Sequence, residues 1–192
     1  MASIGLDKLY YAPITLDNDG KETYGTPALL AKAISAELSV EVNEAILYAD
    51  DGQAESVKEF KSGTISLNID DLKPSVVAAL LGAAVDDNGV LISRGEDVAN
   101  YVAIAFRAKR ANGKYQYFWL YRVQFAIPNN SLATKGDSIT FSTPTIEGTV
   151  FQRVKPDEKG GHPWKAEVTE DSNNSTIIAA WYTAVYEPDY PA

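Results

Sequence analysis

The sequence predicts an all-β protein with one short flanking helix, and three observations carry that prediction. Four Asp-Gly or Asn-Gly dipeptides punctuate the chain: Asp19-Gly20, Asp51-Gly52, Asn88-Gly89 and Asn112-Gly113. Each can supply the positive φ angles that a tight hairpin turn requires. Between them lie runs in which apolar and polar residues alternate with a period of two, the mark of a strand with one buried and one wet face. One stretch reads as a credible helix, with an apolar stripe at helical spacing.

Taken in order, residues 6–13 form the first strand-like run. Ile34, Ala36, Leu38, Val40 and Val42 then alternate with Ser35, Glu37, Ser39 and Glu41. This predicts a strand that buries the first set and wets the second. Residues 48–60 are acidic around Asp50-Asp51-Gly52, and their apolar members, Tyr48, Val57 and Phe60, lie toward the ends. They read as an extended loop, and a long loop in a compact domain is usually functional or disordered. Ile65, Leu67 and Ile69 alternate with Ser66, Asn68 and Asp70, another half-wet strand.

The spacing predicts a helix over residues 74–81. Pro74 suits a first helical position, Asp70 and Asp71 lie just before it, and Gly82 suits the residue after the end. Val77, Leu80 and Leu81 form its apolar stripe. So short a helix is marginal alone and must pack on a sheet. Residues 101–110 and 115–126 read as two further strands. In the second, Tyr115, Tyr117, Trp119 and Tyr121 share one face and Phe118 and Leu120 the other, so it is expected to be covered on both sides. Ile139 and Phe141 alternate with Ser138, Thr140 and Ser142, and residues 177–186 read as a closing strand. Residues 155–161 read as a loop and 187–192, with two prolines, as a tail. With no internal repeat and no low-complexity linker, residues 1–192 form one expected domain, a length within the range of a single all-β domain.

Composition narrows the chemistry. There is no cysteine, which removes disulfides, thiol catalysis, iron–sulfur clusters and cysteine-ligated zinc. The single histidine, His162, sits in a Gly-Gly-His-Pro loop that gives a catalytic base little support. The phosphate-binding loop and the dinucleotide glycine pattern are both absent. Asp17-Asn18-Asp19-Gly20 has the look of a calcium loop, but Thr15 and Thr26 stand where that template needs carboxylates. No run approaches the roughly 20 apolar residues that span a bilayer, and residues 1–10 lack the pattern of an export signal. The expectation is a protein made in a cytoplasm, with no enzyme activity, no cofactor, no metal and no membrane partner.

The formal charge is −9. Residues 1–96 hold 16 acids and 7 bases, and residues 97–192 hold 10 of each, so the imbalance lies wholly in the first half. Such acidity argues against a groove that grips phosphates, though not against nucleic acid passing without adhesion. Two charged stretches stand out. Glu41, Glu44, Asp50, Asp51, Glu55 and Glu59 face only Lys58, whereas Arg107, Lys109, Arg110 and Lys114 surround the Asn112-Gly113 turn. Two readings fit: two solvated hairpins, or a complementary pair on different copies of the chain, which would fix register more than affinity.

Several segments, in order, resemble the major tail protein family of long-tailed siphophages, the subunit of the tail tube. The matching stretches begin with residues 4–12, Gly25-Thr26-Pro27 and Leu47-Tyr48-Ala49-Asp50-Asp51-Gly52. They continue with Gly89-Val90-Leu91-Ile92, Tyr101-Val102-Ala103, Asn112-Gly113-Lys114-Tyr115 and Trp119-Leu120-Tyr121. Lys135-Gly136-Asp137, Thr143-Pro144-Thr145, Gly148-Thr149 and Trp181-Tyr182-Thr183 complete the set. The resemblance implies a two-sheet β-sandwich with a flanking helix, six copies to a ring, and rings stacked into a tube in the virion tail. It implies further that about four strands per copy build a continuous lumen barrel. Tape measure protein and terminator or baseplate proteins are the implied partners, with double-stranded DNA passing transiently.

On that basis Ser35, Glu37, Ser39, Glu41, Ser66, Asn68, Ser138, Thr140 and Ser142 are expected to face the lumen. Tyr48, Asp50, Asp51, Gly52, Glu55 and Glu59 are expected in the ring-stacking loop, and Arg107, Lys109, Arg110 and Lys114 in an inter-subunit basic hairpin. Another tail ring component, such as a terminator or baseplate adaptor, and a soluble carbohydrate-binding β-sandwich suggested by 11 tyrosines stand as alternatives.

Overall fold

A computed structural model describes residues 2–17, 21–49, 52–128 and 142–190. Its strands are β1 (Ser3–Leu16), β2 (Glu22–Tyr24), β3 (Ala28–Ala31), β4 (Ala33–Ala49), β5 (Gly52–Ile69), β6 (Ala84–Val85), β7 (Leu91–Ile92), β8 (Tyr101–Arg110), β9 (Tyr115–Phe125), β10 (Thr145–Phe151) and β11 (Lys165–Thr169). Helix α1 spans Pro74–Leu81 and α2 spans Ser175–Ala180. Nine strands join one antiparallel sheet in the order β2-β1-β8-β9-β10-β5-β4, with β3 also on β1 and β11 also on β9; β6 and β7 pair separately. The chain is all-β with short helices.

The sheet curls over its own core. Leu9 of β1 and Leu30 of β3 share one buried cluster with Ile65, Leu67 and Ile69 of β5, although these strands stand far apart in the sheet order. Ile104, Leu120, Val123, Phe125, Ile146 and Val150 complete its centre, and Val76 and Leu80 of α1 cap it. Burial of such side chains is the main favourable term in folding. Gly148 permits the close packing at the bend. A Cβ there would fall 2.8 Å from Val123 Cγ1 and 2.9 Å from Phe125 Cδ1.

Strand β9 is covered on both faces, as its sequence predicts. Tyr117, Trp119 and Tyr121 pack in a second cluster with Ala12, Ala103, Ala105, Trp181 and Val185, while Leu120 belongs to the first. The pairing of β8 with β9 shifts register between Val102 and Ile104, where two residues of β8 span three of β9. That bulge changes which residues of β9 face the core, so Val123 and Phe125 turn inward where the earlier alternation would send them outward.

Three expectations are corrected. Residues 48–60 are not a loop: β4 and β5 pair from Ala33↔Ile69 to Ala49↔Gly52 as one long hairpin. Its β-branched and aromatic residues, among them Val42, Val57 and Phe60, favour a ribbon over a loop. Ile34 and Val40, expected to be buried, are 53% and 44% exposed. β4 is an edge strand, and only Ala36 and Leu38 of its apolar set reach the core. Residues 177–186 are not a strand. Asp171 and Asn174 form a reciprocal cap at the preceding 3-10 turn, and α2 follows. Ile178, Trp181, Tyr182 and Val185 then meet the second cluster at helical spacing.

The strand expected around Ser138 and Thr140 lies outside the described residues; Ser142 is described and precedes β10. Helix α1 keeps the predicted bounds, with Gly82 at φ 72 closing it. The acids before it do not cap it: Asp70 Oδ1 instead accepts from the Lys32 and Asp71 amides.

Candidate assembly surface

The polar positions of β4, β5 and β10 fall into register. Ser35 pairs with Asn68 and Asn68 with Thr145; Glu37 with Ser66 and Ser66 with Glu147; Ser39 with Thr64 and Thr64 with Thr149. Residues directly opposite in neighbouring strands point to the same side, so these rows make one face. Thr149 continues it to Gln124 of β9. The back of the same strands carries Leu38, Ile65, Leu67, Ile146 and Val150 in the first core cluster. Asn68 Nδ2 donates to Thr145 Oγ1 at 3.0 Å, tying one row together.

Every side chain in the three rows is a hydroxyl, an amide or a carboxylate. Glu41 extends the face upward, opposite Ser62. It meets Lys61, the extra residue of a bulge between the Glu41↔Ser62 and Val42↔Phe60 pairs. Lys61 Nζ lies 3.2 Å from Glu41 Oε2 and Ser62 Oγ 3.3 Å from the same oxygen. The hydrogen bond from Lys61 holds the Glu41 carboxyl below its ordinary range. The structure therefore brings together Ser35, Glu37, Ser39, Glu41, Ser66 and Asn68, and adds Thr64, Thr145, Glu147 and Thr149, which sequence reasoning missed. The signal was present: Thr145, Glu147 and Thr149 alternate with Ile146, Gly148 and Val150, but a glycine in the apolar set weakens the pattern.

Beyond the bulge the hairpin becomes an arm. Tyr48 lies in β4, and Gly52, Glu55 and Glu59 lie in β5, whereas Asp50 and Asp51 fall outside the described residues. Lys58 Nζ pairs with Glu44 Oε1 at 3.2 Å, with both side chains exposed. Val42 and Val57 are each 53% exposed. At the arm's root, Phe60 stacks on Trp164 with centroids 4.4 Å apart and planes 8° from parallel.

The basic hairpin is half committed within its own chain. Arg107 grips Asp7 with two hydrogen bonds, Nε to Oδ1 at 2.6 Å and Nη2 to Oδ2 at 2.8 Å, and lies 4.0 Å from the Tyr115 ring centroid. Those bonds to Asp7 raise its already high pKa. Arg110 donates to Gln116 Oε1. Lys109 and Lys114 remain exposed on either side of the turn at Gly113.

A buried charge cluster behind the second core went unseen in the sequence. Glu22 is 1% exposed and accepts from Arg122 Nη1 at 2.8 Å and from the Val154 amide at 2.7 Å. Arg153 is 2% exposed and donates to Glu187 Oε2 at 2.8 Å, while Lys155 Nζ reaches Glu187 Oε1 at 2.9 Å. Burial raises the pKa of the neighbouring Tyr24 and Tyr121 phenols far above the ordinary tyrosine value. Tyr190 Oη donates to Asp157 Oδ2 at 3.0 Å, so the expected tail is fastened at Glu187 and Tyr190. His162 is exposed, and its Nδ1 lies 3.1 Å from the Arg153 carbonyl.

No group of three or more side chains able to hold a metal comes together among the described residues. No described helix is long and apolar enough to cross a membrane. No protein-family model matches the sequence, and no curated protein matches it.

Proposed function

We propose that the chain is the structural subunit of a siphophage-type tail tube: six copies form a ring, rings stack, and double-stranded DNA passes through the bore. The observation that carries this reading is the registered face of β4, β5 and β10, whose rows offer hydroxyls, an amide and carboxylates and no cation. A conduit must not hold its cargo, because every phosphate neutralised by a lysine or arginine adds binding that must later be broken. The carboxylates repel the duplex only within a Debye length of about 8 Å, which centres it without closing the path.

Two further features support the reading. With Gln124, the polar face crosses four strands, β4, β5, β10 and β9. Six times four strands, about 4.8 Å apart and tilted about 40°, close into a barrel roughly 48 Å across. That is wide enough for a duplex of about 20 Å with its water. In addition, β4 is an edge strand of 17 residues, and a long open edge calls for a partner. In the assembled tube the curled sheet acts as a two-layered sandwich, its inner layer joining the barrel. A six-fold ring uses two different patches per copy and stacking uses two more. The arm beyond Glu41 reaches a neighbouring ring, tape measure protein occupies the bore before DNA, and terminator and baseplate proteins cap the ends. The role needs no catalytic step, cofactor or membrane, and places the protein in the virion tail after assembly in the host cytoplasm.

Negative-stain electron microscopy of purified protein, alone and with tail partners, tests the proposal. Long tubes with a stained bore are expected. Single closed rings would favour a terminator or adaptor, and monomer under every condition would refute assembly.

A further inference from the structure

We propose that Trp164 is the positioning residue for the hairpin arm, setting the angle at which the arm leaves the body through its stack with Phe60. Among the described residues, the side chains below the arm give it little other bracing. On β5, the inward position beneath Phe60 is Gly63, which has no side chain, and the next is the buried Ile65; the bulged Lys61, between Phe60 and Gly63, turns to Glu41 on the polar face. On β4, Val40 and Val42 are 44% and 53% exposed and press on little. A bulge also bends and twists a strand locally. The ribbon therefore has its weakest point directly under Phe60.

Trp164 is tied by its backbone to the central strand β9. Its carbonyl accepts from the amide of Tyr121, on the strand covered on both faces, at 3.0 Å. The preceding Pro163 carbonyl accepts from the Arg153 amide at 3.2 Å. β11 starts at the next residue, Lys165, opposite Leu120 of β9. The near-parallel stack thus couples the arm to the central strand. Leverage makes the coupling matter. Eight residues of β4 beyond the bulge span roughly 25 Å, so a swing of about 10° at the root moves the tip by about 4 Å, more than a hydrogen-bond length.

The proposal rests on the assembly reading only for the use the arm is put to; its test is made on the unassembled chain. Hydrogen exchange is followed in peptides from residues 42–60 and, as the internal reference, from β8 and β9. Phe60→Ala and Trp164→Ala should speed exchange in the arm about threefold to tenfold, the worth of an aromatic stack, and leave β8 and β9 unchanged. Trp164→Phe and Phe60→Tyr, which keep two stacked rings, should retain the slow exchange. Trp119 and Trp181 are buried, so acrylamide quenching in Phe60→Ala should rise through Trp164 alone. Unchanged exchange in the arm, equal acceleration in β8 and β9, or conservative variants as fast as the alanine ones would each overturn the proposal. Tube formation by the same variants is scored separately. An arm freed in exchange while tubes grow normally would refute the arm's part in stacking and leave the positioning role standing.

Discussion

Replacing Glu37 and Glu147 by lysine should turn the polar face from a surface that ignores DNA into one that holds it. Both side chains are exposed and flank Ser66 in one row, so the fold should lose no more than the roughly 0.5 kcal/mol typical of surface changes. The described face carries Glu37, Glu41 and Glu147 against Lys61, and the double substitution reverses that balance. The three rows run over four residue steps of β4, from Ser35 to Ser39, roughly 13 Å along the strand and, at a tilt of about 40°, roughly 10 Å along the bore. A duplex presents about six phosphates over such a length, one for every 1.7 Å of axis. If two of the new lysines per ring reach phosphate at any moment, the affinity gained falls with salt at a log–log slope near −2 per ring. From 200 to 50 mM salt, that amounts to an increase in hold of about tenfold for each ring occupied. The assay is the rate of DNA release from particles carrying the variant, measured at both salt concentrations after microscopy has confirmed normal tubes. Release should slow sharply at 50 mM and recover at 200 mM. Release at the unmodified rate in low salt would show that this face does not line the channel.

Three other outcomes follow from the packing. Gly148→Ala places a methyl group against Val123 and Phe125 and should cost about 1–3 kcal/mol in urea unfolding. Glu187→Ala strands Arg153, whose side chain is 1% exposed, and should cost about 3 kcal/mol, whereas Glu44→Ala in the exposed pair with Lys58 should cost under about 0.5 kcal/mol in the same experiment. The raised Tyr24 and Tyr121 phenols stay protonated in the folded chain after the unfolded chain begins to ionise near pH 10, so their contribution is complete below pH 10 and is lost as pH rises toward their folded values. The loss should reach about 1.4 kcal/mol per pH unit for each phenol, and Tyr121→Phe should remove one share of that slope in alkaline unfolding followed by phenolate absorbance.

The parts of the fold legible in the sequence are those decided by local pattern. Helix α1 announced itself through Pro74 and Gly82, β8 and β9 through their β-branched and aromatic runs, and the wet side of β4 through its serines and glutamates. What escaped was decided by distant neighbours. No pattern within β4 says that the core ends near Leu38, because that depends on where β1 and β3 fold back. The acids of residues 41–59 point to a loop, whereas Val42, Ile46, Tyr48, Val57 and Phe60 suit a ribbon. In residues 177–186, aromatic and β-branched composition pointed to a strand, while the spacing of Ile178, Trp181, Tyr182 and Val185 was helical. The cluster joins Glu22 to Arg122 across 100 positions and Arg153 to Glu187 across 34, and nothing local marks them as partners.

The second core has a consequence for the order of synthesis. Trp181 packs in the second cluster with the small Ala12, Ala103 and Ala105, its indole Nε1 donating to the Phe118 carbonyl and its own carbonyl accepting from Trp119 Nε1. Every strand of the sheet leaves the ribosome before that indole does. Each nascent chain therefore passes through an interval in which Tyr117, Trp119 and Tyr121 are made but bare, their cover still inside the tunnel. At a synthesis rate of about 5–20 residues per second, the 56 residues between Phe125 and Trp181 take several seconds, long enough for exposed aromatic surface on neighbouring chains of one polysome to meet.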